Sequence, residues 1–409
     1  MTKRRHIYLV LILGALTTLS PFSIDMYLPG FPAIARSLGT STAEVTHSLS
    51  SFFIGLACGQ LIYGPLMDRF GRRRPLFGGL TLYVLASVGC ANAHSVSWLI
   101  ALRFVQALGS SAAAVAPMAM VRDLFPVKDN AKVMTSLIIV VSASPMLAPT
   151  IGSYLTAAFG WQSVFVALLL LAILMGLAVA FTLPESHRRH PDFHLEVGVI
   201  TRSFLSVGRN AQFYTYAVGG CVAFSGLLAY VAGSPTVFME TFGVSGKVYG
   251  WIFAFLSFGF IGFSQCNFIL LRRYRSEQIV NAALIGQTVI GLVLLMGALQ
   301  GWLGLSSTIA LLFAYLITLG LANPNASALA MAPFSQNAGT AAAFIGALQC
   351  STGALASYGV GALPTSTLVA VATMMAAAAV LGLGMVWTGR RNIHGAVPAS
   401  PAAATALPH

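Results

Sequence analysis

Asp25 is the acidic residue of this chain that falls inside an apolar run long enough to cross a bilayer, in the stretch SIDMYLPGFP from Ser23 to Pro32. Arg103 is a second ionisable residue inside such a run. A charge in hydrocarbon is costly, so each is a functional candidate by default. Burial disfavours the charge on a carboxyl group and a neighbouring guanidinium favours it, so a pair held at that balance exchanges a proton when its surroundings change. Asp25 lies three residues, and Arg103 about six, from the same-side ends of their runs. At about 1.5 Å per residue the two are level, and they are expected to pair, with Asp25 as proton carrier and Arg103 tuning it. A plainer role for Asp25 is backbone hydrogen bonding beside Pro29 and Pro32.

The elements that must position these residues are membrane helices. The chain is 57% hydrophobic and 8% charged, against about 25% charged in soluble proteins, and its mean hydropathy is +0.82. With about 20 apolar residues needed per crossing, the expected spans are 7–28, 46–66, 76–93, 97–121, 132–158, 162–183, 211–233, 248–271, 279–299, 304–331, 339–362 and 366–388. The fold class is therefore all-α, with twelve transmembrane helices. The polar interval 184–210 divides the spans into an N-terminal six-helix bundle (1–183) and a C-terminal one (211–391), followed by a disordered tail over 392–409. The apolar stretch behind Lys3, Arg4 and Arg5 runs to Leu28 with no A-x-A site. It reads as an uncleaved first helix.

The net charge of +12 comes from short basic clusters between apolar runs, and no basic helix interleaved with aromatics suggests a nucleic-acid partner. Nineteen of the twenty-two Lys and Arg residues lie at the two ends or in the intervals after spans 2, 4, 6 and 8. That bias places both termini in the cytoplasm. Cys58, Cys90, Cys221, Cys266 and Cys350 lie singly in apolar runs, which fits neither a metal site nor disulfides. His187, His190 and His194 fall at i, i+3 and i+7 without a thiolate, and a solvated linker is expected there rather than a metal site.

The most specific motif is GPLMDRFGRRRPL, Gly64 to Leu76. Gly64 would allow close helix approach and Gly71 a tight turn. Asp68 is suited to face a helix N-terminus from the other half, and Arg72 is within reach of Asp123. The interval after span 8 is likewise Arg-rich, RRYR at 272–275, as expected of an internal repeat. Gly64, Leu66, Asp68, Arg69, Gly71, Arg72 and Arg73 together resemble the G-x-L-x-D-R-x-G-R-[RK] motif of the major facilitator superfamily. RFVQALG (Arg103–Gly109) resembles its R-x-x-Q-[GA] motif. SPMLAPTIGS (Ser144–Ser153) is similar to the G-P-x-x-G-G motif of its antiporters, with Ala148 and Ser153 replacing glycines. With SIDMYLPGFP, LPES, WQSVF, GSP, ANPNA and AGTAAA, the chain looks like a member of the bicyclomycin/chloramphenicol-resistance (Bcr/CflA) drug:proton antiporter group.

That resemblance implies two six-helix bundles and a monomer in the bacterial inner membrane, partnered by the lipid bilayer, protons and a small-molecule substrate. It implies no cofactor and no enzymatic activity; the expected function is proton-coupled export of small, largely neutral organic compounds. Carriage of one metabolite, such as a nucleoside or amino acid, is the alternative. It implies gating by Gly64, Asp68, Arg69, Gly71, Arg72, Arg73 and Asp123. The implied antiporter helix carries Pro145, Pro149 and Gly152, its prolines either limiting proton leak or simply kinking it. By analogy, the substrate cavity takes Tyr27, Gln106, Ser110, Tyr216, Phe224, Tyr230, Asn323, Asn325 and Ser327. Thr17 stands where some drug exporters carry a second acid. Asp25→Asn is expected to abolish proton-coupled transport in proteoliposomes while leaving membrane-inserted protein at wild-type amounts, and full coupled transport by that variant overturns the role.

Overall fold

Each long apolar run becomes a helix, because in hydrocarbon every backbone N–H and C=O must find its partner within the segment. The computed structural model describes residues 3–186, 205–334 and 338–393. In the first of these stretches come α1 (Lys3–Asp25), a 3-10 turn (Leu28–Gly30), α2 (Phe31–Leu38), α3 (Thr42–Phe70), α4 (Arg73–Ala91), α5 (Val96–Leu124), α6 (Val127–Phe159) and α7 (Gln162–Thr182). A composite helix then covers Ala211–Thr241. It is regular over α8 (Gly219–Pro235) and π-wound over Tyr214–Val218 and Thr236–Thr241. Next are α9 (Gly246–Leu270), α10 (Ser276–Gln300), α11 (Leu305–Met331), α12 (Ala338–Ala362) and α13 (Thr367–Arg390).

Among the described residues, 11 helical segments are long and apolar enough to span a membrane. The remaining long helix, α12, coincides with the expected span 339–362. Its Ala- and Gly-rich sequence is broken by Gln349, Ser351 and Thr352.

The first span departs from the expected uninterrupted run. It breaks after Asp25 and resumes as the short turn and α2, because Pro29 and Pro32 lack the N–H groups that would continue the helical ladder. Serines mark two other starts: Ser41 Oγ accepts from Glu44 N–H at 3.2 Å and Ser95 Oγ from Trp98 N–H at 3.3 Å, satisfying donors that a helix N-terminus leaves unpaired.

The contacts divide the chain into two compact units. One is Met1–Leu195 with Val244–Ala254, and the other is Glu196–Gly243 with Phe255–His409. The opening turns of α9 thus group with the first unit, although the sequence places them with the second half. Residues 187–204, which hold most of the expected linker and His187, His190 and His194, lie outside the described residues, as do 394–409 of the expected tail.

Within the first unit, helices approach closely at small residues, the usual device where lipid offers no hydrophobic drive for association. A methyl group built on Gly109 of α5 would stand 2.5 Å from Tyr83 N and 2.6 Å from Gly79 O of α4. Gly64 behaves otherwise. A methyl group there meets no neighbouring atom, so the close approach expected at Gly64 is not made in this structure.

The contrast is testable by thermal unfolding in detergent. Gly109→Ala is expected to lower stability by about 1–3 kcal/mol through overpacking, whereas Gly64→Ala leaves the unfolding midpoint unchanged or slightly raised.

Candidate functional site

The broken end of α1 is the polar centre of the first unit. Carbonyls in the last turn of a helix have no donor further along it, and that of Ser23 accepts instead from Arg103 Nη2 of α5 at 2.9 Å. Arg103 Nη1 donates to Gln106 Oε1 at 2.6 Å, and Gln106 Nε2 donates in turn to Ser87 Oγ of α4 at 2.8 Å. Ser23 Oγ and Tyr83 OH share a hydrogen bond of 2.6 Å, and Tyr27 OH and Ser48 Oγ one of 2.9 Å. Helices α1, α4 and α5 are joined by this network, and Tyr27, in the turn after α1, ties that turn to α3.

The guanidinium of Arg103 is 0% exposed. It lies 4.2 Å from the ring centroid of Phe52, 4.6 Å from that of Tyr27 and 5.9 Å from that of Phe165. The expected pairing with Asp25 is not made. Among the described residues the ion pairs are Arg72–Asp68, Arg72–Asp123 and Arg390–Glu277. Two physical terms take the place of the carboxylate. Aromatic faces attract a desolvated cation by about 2 kcal/mol, and the C-terminal end of α1 carries a partial negative charge. Asp25 is buried, and none of these ion pairs includes it.

Several expected cavity residues are part of the packed interior instead. Tyr27, Gln106, Ser110, Tyr216, Tyr230 and Asn325 are buried. Gln106 is consumed by Arg103 and Ser87, and Ser110 Oγ accepts from Ser20 Oγ at 3.1 Å. Asn325 Nδ2 donates to Asn267 Oδ1 and to Leu321 O, both at 2.8 Å. Phe224, Asn323 and Ser327 are half-buried. Sequence reasoning missed Phe52 and Phe165, since an aromatic in an apolar run carries no mark of the cation it will face. It also missed Ser23, Tyr83 and Ser87, which hold the network together.

On α6, Pro145 and Pro149 lie inside a helix that continues without interruption to Phe159. Gly152 abuts the break in α1: a methyl group on it would stand 2.0 Å from Met26 O. The expected antiporter helix therefore presses backbone to backbone against the residue after Asp25.

The motif turn lies between α3 and α4. Gly71 has φ +84°, a conformation that favours glycine. Arg72 Nε donates to Asp123 Oδ2 at 2.9 Å and its Nη1 to Asp68 Oδ1 at 2.6 Å. Burial works against the charge of Arg72, but the hydrogen bonds and charges of Asp123 and Asp68 outweigh it and hold its pKa above the ordinary arginine value. Arg69 lies over the Phe70 ring, and Arg73 Nη2 donates to Ala180 O.

Glu185, for which no role was expected from its residue type and position, completes this turn. Its Oε1 accepts from Arg72 N–H at 2.8 Å and its Oε2 from Arg73 N–H at 3.2 Å. A carboxylate thus meets the first amides of α4, where helix dipole and unpaired donors favour an anion. Ser186 Oγ adds a bond to Asp123 Oδ2 at 3.2 Å. Glu185→Ala is expected to lower stability by about 1 kcal/mol through loss of that anion. Thermal unfolding in detergent at low and high salt checks it: the deficit shrinks as salt rises if the interaction is with the dipole.

Comparison with known proteins agrees with this arrangement. A family model described as Major Facilitator Superfamily matches residues 13–357. A bicyclomycin resistance protein homolog of Haemophilus influenzae is 32% identical over 383 residues, covering 91% of this chain and 94% of that protein. The multidrug resistance protein MdtL of Klebsiella pneumoniae is 31% identical over 243 residues, 59% of this chain and 61% of that protein. Among solved structures, the D-xylose-proton symporter superposes with a TM-score of 0.72 at 16% identity, covering 92% of this chain and 96% of its own. With the family matched over most of its length and the fold shared with a solved transporter, the chain belongs to the major facilitator superfamily.

Proposed function

We propose that this protein exports small, largely neutral organic compounds in exchange for protons, by alternating access, with both termini in the cytoplasm of a bacterium and the chain in its inner membrane. The observation that carries the proposal is the state of Asp25. It is a buried carboxyl group at the broken end of α1, while Arg103 donates from Nη2 to Ser23 O and from Nη1 to Gln106. Unpaired carboxyl groups at membrane depth mark proton pathways. One relative carries the name of a bicyclomycin resistance homolog and another that of a multidrug resistance protein, which supports drug-like cargo.

In this reading Asp25 is the proton carrier and Arg103 a positioning residue that ties the end of α1 to α5. The Asp68–Arg72–Asp123 cluster, seated by Gly71 and Glu185, acts as a latch that yields and reforms during the transport cycle. The packing of Gly152 on Met26 couples movement of α6 to the segment carrying Asp25. The positive-inside distribution of Lys and Arg supports the orientation, and the protein works as a monomer.

The test is proton movement in liposomes carrying an imposed pH gradient and a pH-sensitive dye, with amphenicols, bicyclomycin, nucleosides and amino acids added in turn. Proton release on adding a neutral drug is the expected result. A gradient unchanged by every compound, despite measurable binding of one of them, overturns the coupling.

A further inference from the structure

Asn323 on α11 and Gln349 on α12 form a carboxamide pair inside the second unit. Gln349 Nε2 donates to Asn323 Oδ1 at 3.1 Å. A carboxamide carries two N–H donors on its nitrogen and an oxygen acceptor. One bond between two such groups leaves the amino group of Asn323 and the oxygen of Gln349 unspent, side by side. Exchanging O and N in both side chains leaves the same remainder, one amino group and one carbonyl. Both residues are half-buried.

Their depth gives this remainder its meaning. At about 1.5 Å per residue, Asn323 lies about 12 Å from the Met331 end of α11, and Gln349 about 16 Å from the Ala338 end of α12. Both therefore belong to the middle of the membrane, where a free donor and acceptor against lipid are strongly disfavoured. The lipid-facing side of α12 is marked by Leu355 and Tyr358, which are 71% and 57% exposed. At roughly 100° per residue these lie between about 120° and 180° around the helix from Gln349. Among the described residues, α11 contributes none of the large exposed apolar side chains. The pair thus opens to the interior, to water or to a ligand.

The neighbouring pair makes the contrast. Asn325 and Asn267 are both buried, and Asn325 spends its amino group on Asn267 and Leu321 O. That arrangement is structural. Asn323 and Gln349 are partly open and partly unspent, with half-buried Ser327 one turn along α11.

We propose that Asn323 and Gln349 form a substrate subsite that reads a neutral amide group, donating from Asn323 to the ligand's carbonyl and accepting its N–H at Gln349. This deepens the export reading and rests on it for the identity of the ligand as cargo. A site built to satisfy both ends of an amide rejects a compound that leaves its own polar groups unpaired, so the pair selects among apolar compounds by this one group.

The experiment is equilibrium binding of radiolabelled chloramphenicol, a neutral aryl compound with one secondary amide, to the purified full chain without a proton gradient. Gln349→Met and Asn323→Leu preserve volume and remove one carboxamide each. Each is expected to weaken binding about tenfold, or 1.4 kcal/mol, with the thermal unfolding midpoint unchanged. The double variant is expected to be little worse than either single one, because the two groups act as a unit. Unaltered affinity in both variants, or no binding of chloramphenicol to the wild-type chain, overturns the subsite. The two substitutions sit on different helices, so a folding defect in one leaves the other to decide. Binding that depends on the pair, without proton release in liposomes, defeats the coupling and leaves the subsite standing; proton release by chloramphenicol that persists in both variants does the reverse.

Discussion

A guanidinium with no exposed surface must have its charge met from within, and the first unit is organised around how that is done for Arg103. No carboxylate is spent on it. The C-terminal turn of α1 supplies a carbonyl, Gln106 a second acceptor, and three aromatic rings a negative face each. Removing one partner of a buried ion pair costs several kcal/mol, because a charge is left unanswered. An arginine held by dipoles and rings avoids that dependence.

A second arginine is treated in the opposite way. Arg72 at the motif turn is clasped by two carboxylates, and the amides beside it by a third, from Glu185. The difference follows from setting. Asp68 keeps 49% of its side chain exposed, so water and ions can take up the charges when the cluster opens. In the proposed cycle such a cluster would serve as a reversible fastening, selective through its geometry. The deep site around Arg103 has no solvent to fall back on and is satisfied at every point but its Nε.

The sequence made the spans legible because lipid forces a uniform rule on every crossing segment, and the expected and observed helices agree within a few residues apart from the break after Asp25 and the seventh span, which runs on from the expected 233 to Thr241. It also made the motif turn legible. Gly71 and the reach from Arg72 to Asp123 are local consequences of residue type and spacing. What it left unread depends on packing. The cation–π cage needs Phe52 and Phe165 to arrive from α3 and α7, and nothing distinguishes them from other aromatics. Glu185 is separated from its amides by four helices, so its capping role follows only from the fold. For a related reason, position on a helix facing inward does not say whether neighbouring side chains fill the space. Gln106 and Ser110 face inward and are consumed there.

The absence of an Asp25–Arg103 ion pair changes how a proton on Asp25 can be felt elsewhere. In a salt-bridge scheme the signal would travel through the guanidinium, and charge on the carboxyl group would set the arginine free. Here the guanidinium holds Ser23 O, two residues before Asp25, and the backbone immediately after Asp25 lies against Gly152 of α6. Asp25, the last residue of α1, therefore sits where that helix ends, fixed at both sides, by Arg103 of α5 before it and by Gly152 of α6 after it. A carboxylate that takes on charge draws water or donors toward itself, and at such a helix end the element free to respond is the backbone of Asp25–Gly30 rather than a side-chain partner. The strain would pass to α6 through an approach so close that even one methyl group on Gly152 would collide with Met26 O. In the proposed exchange cycle, proton and helix movement would be linked through backbone packing at the break in α1, with Gly152 as much a part of the coupling as Asp25.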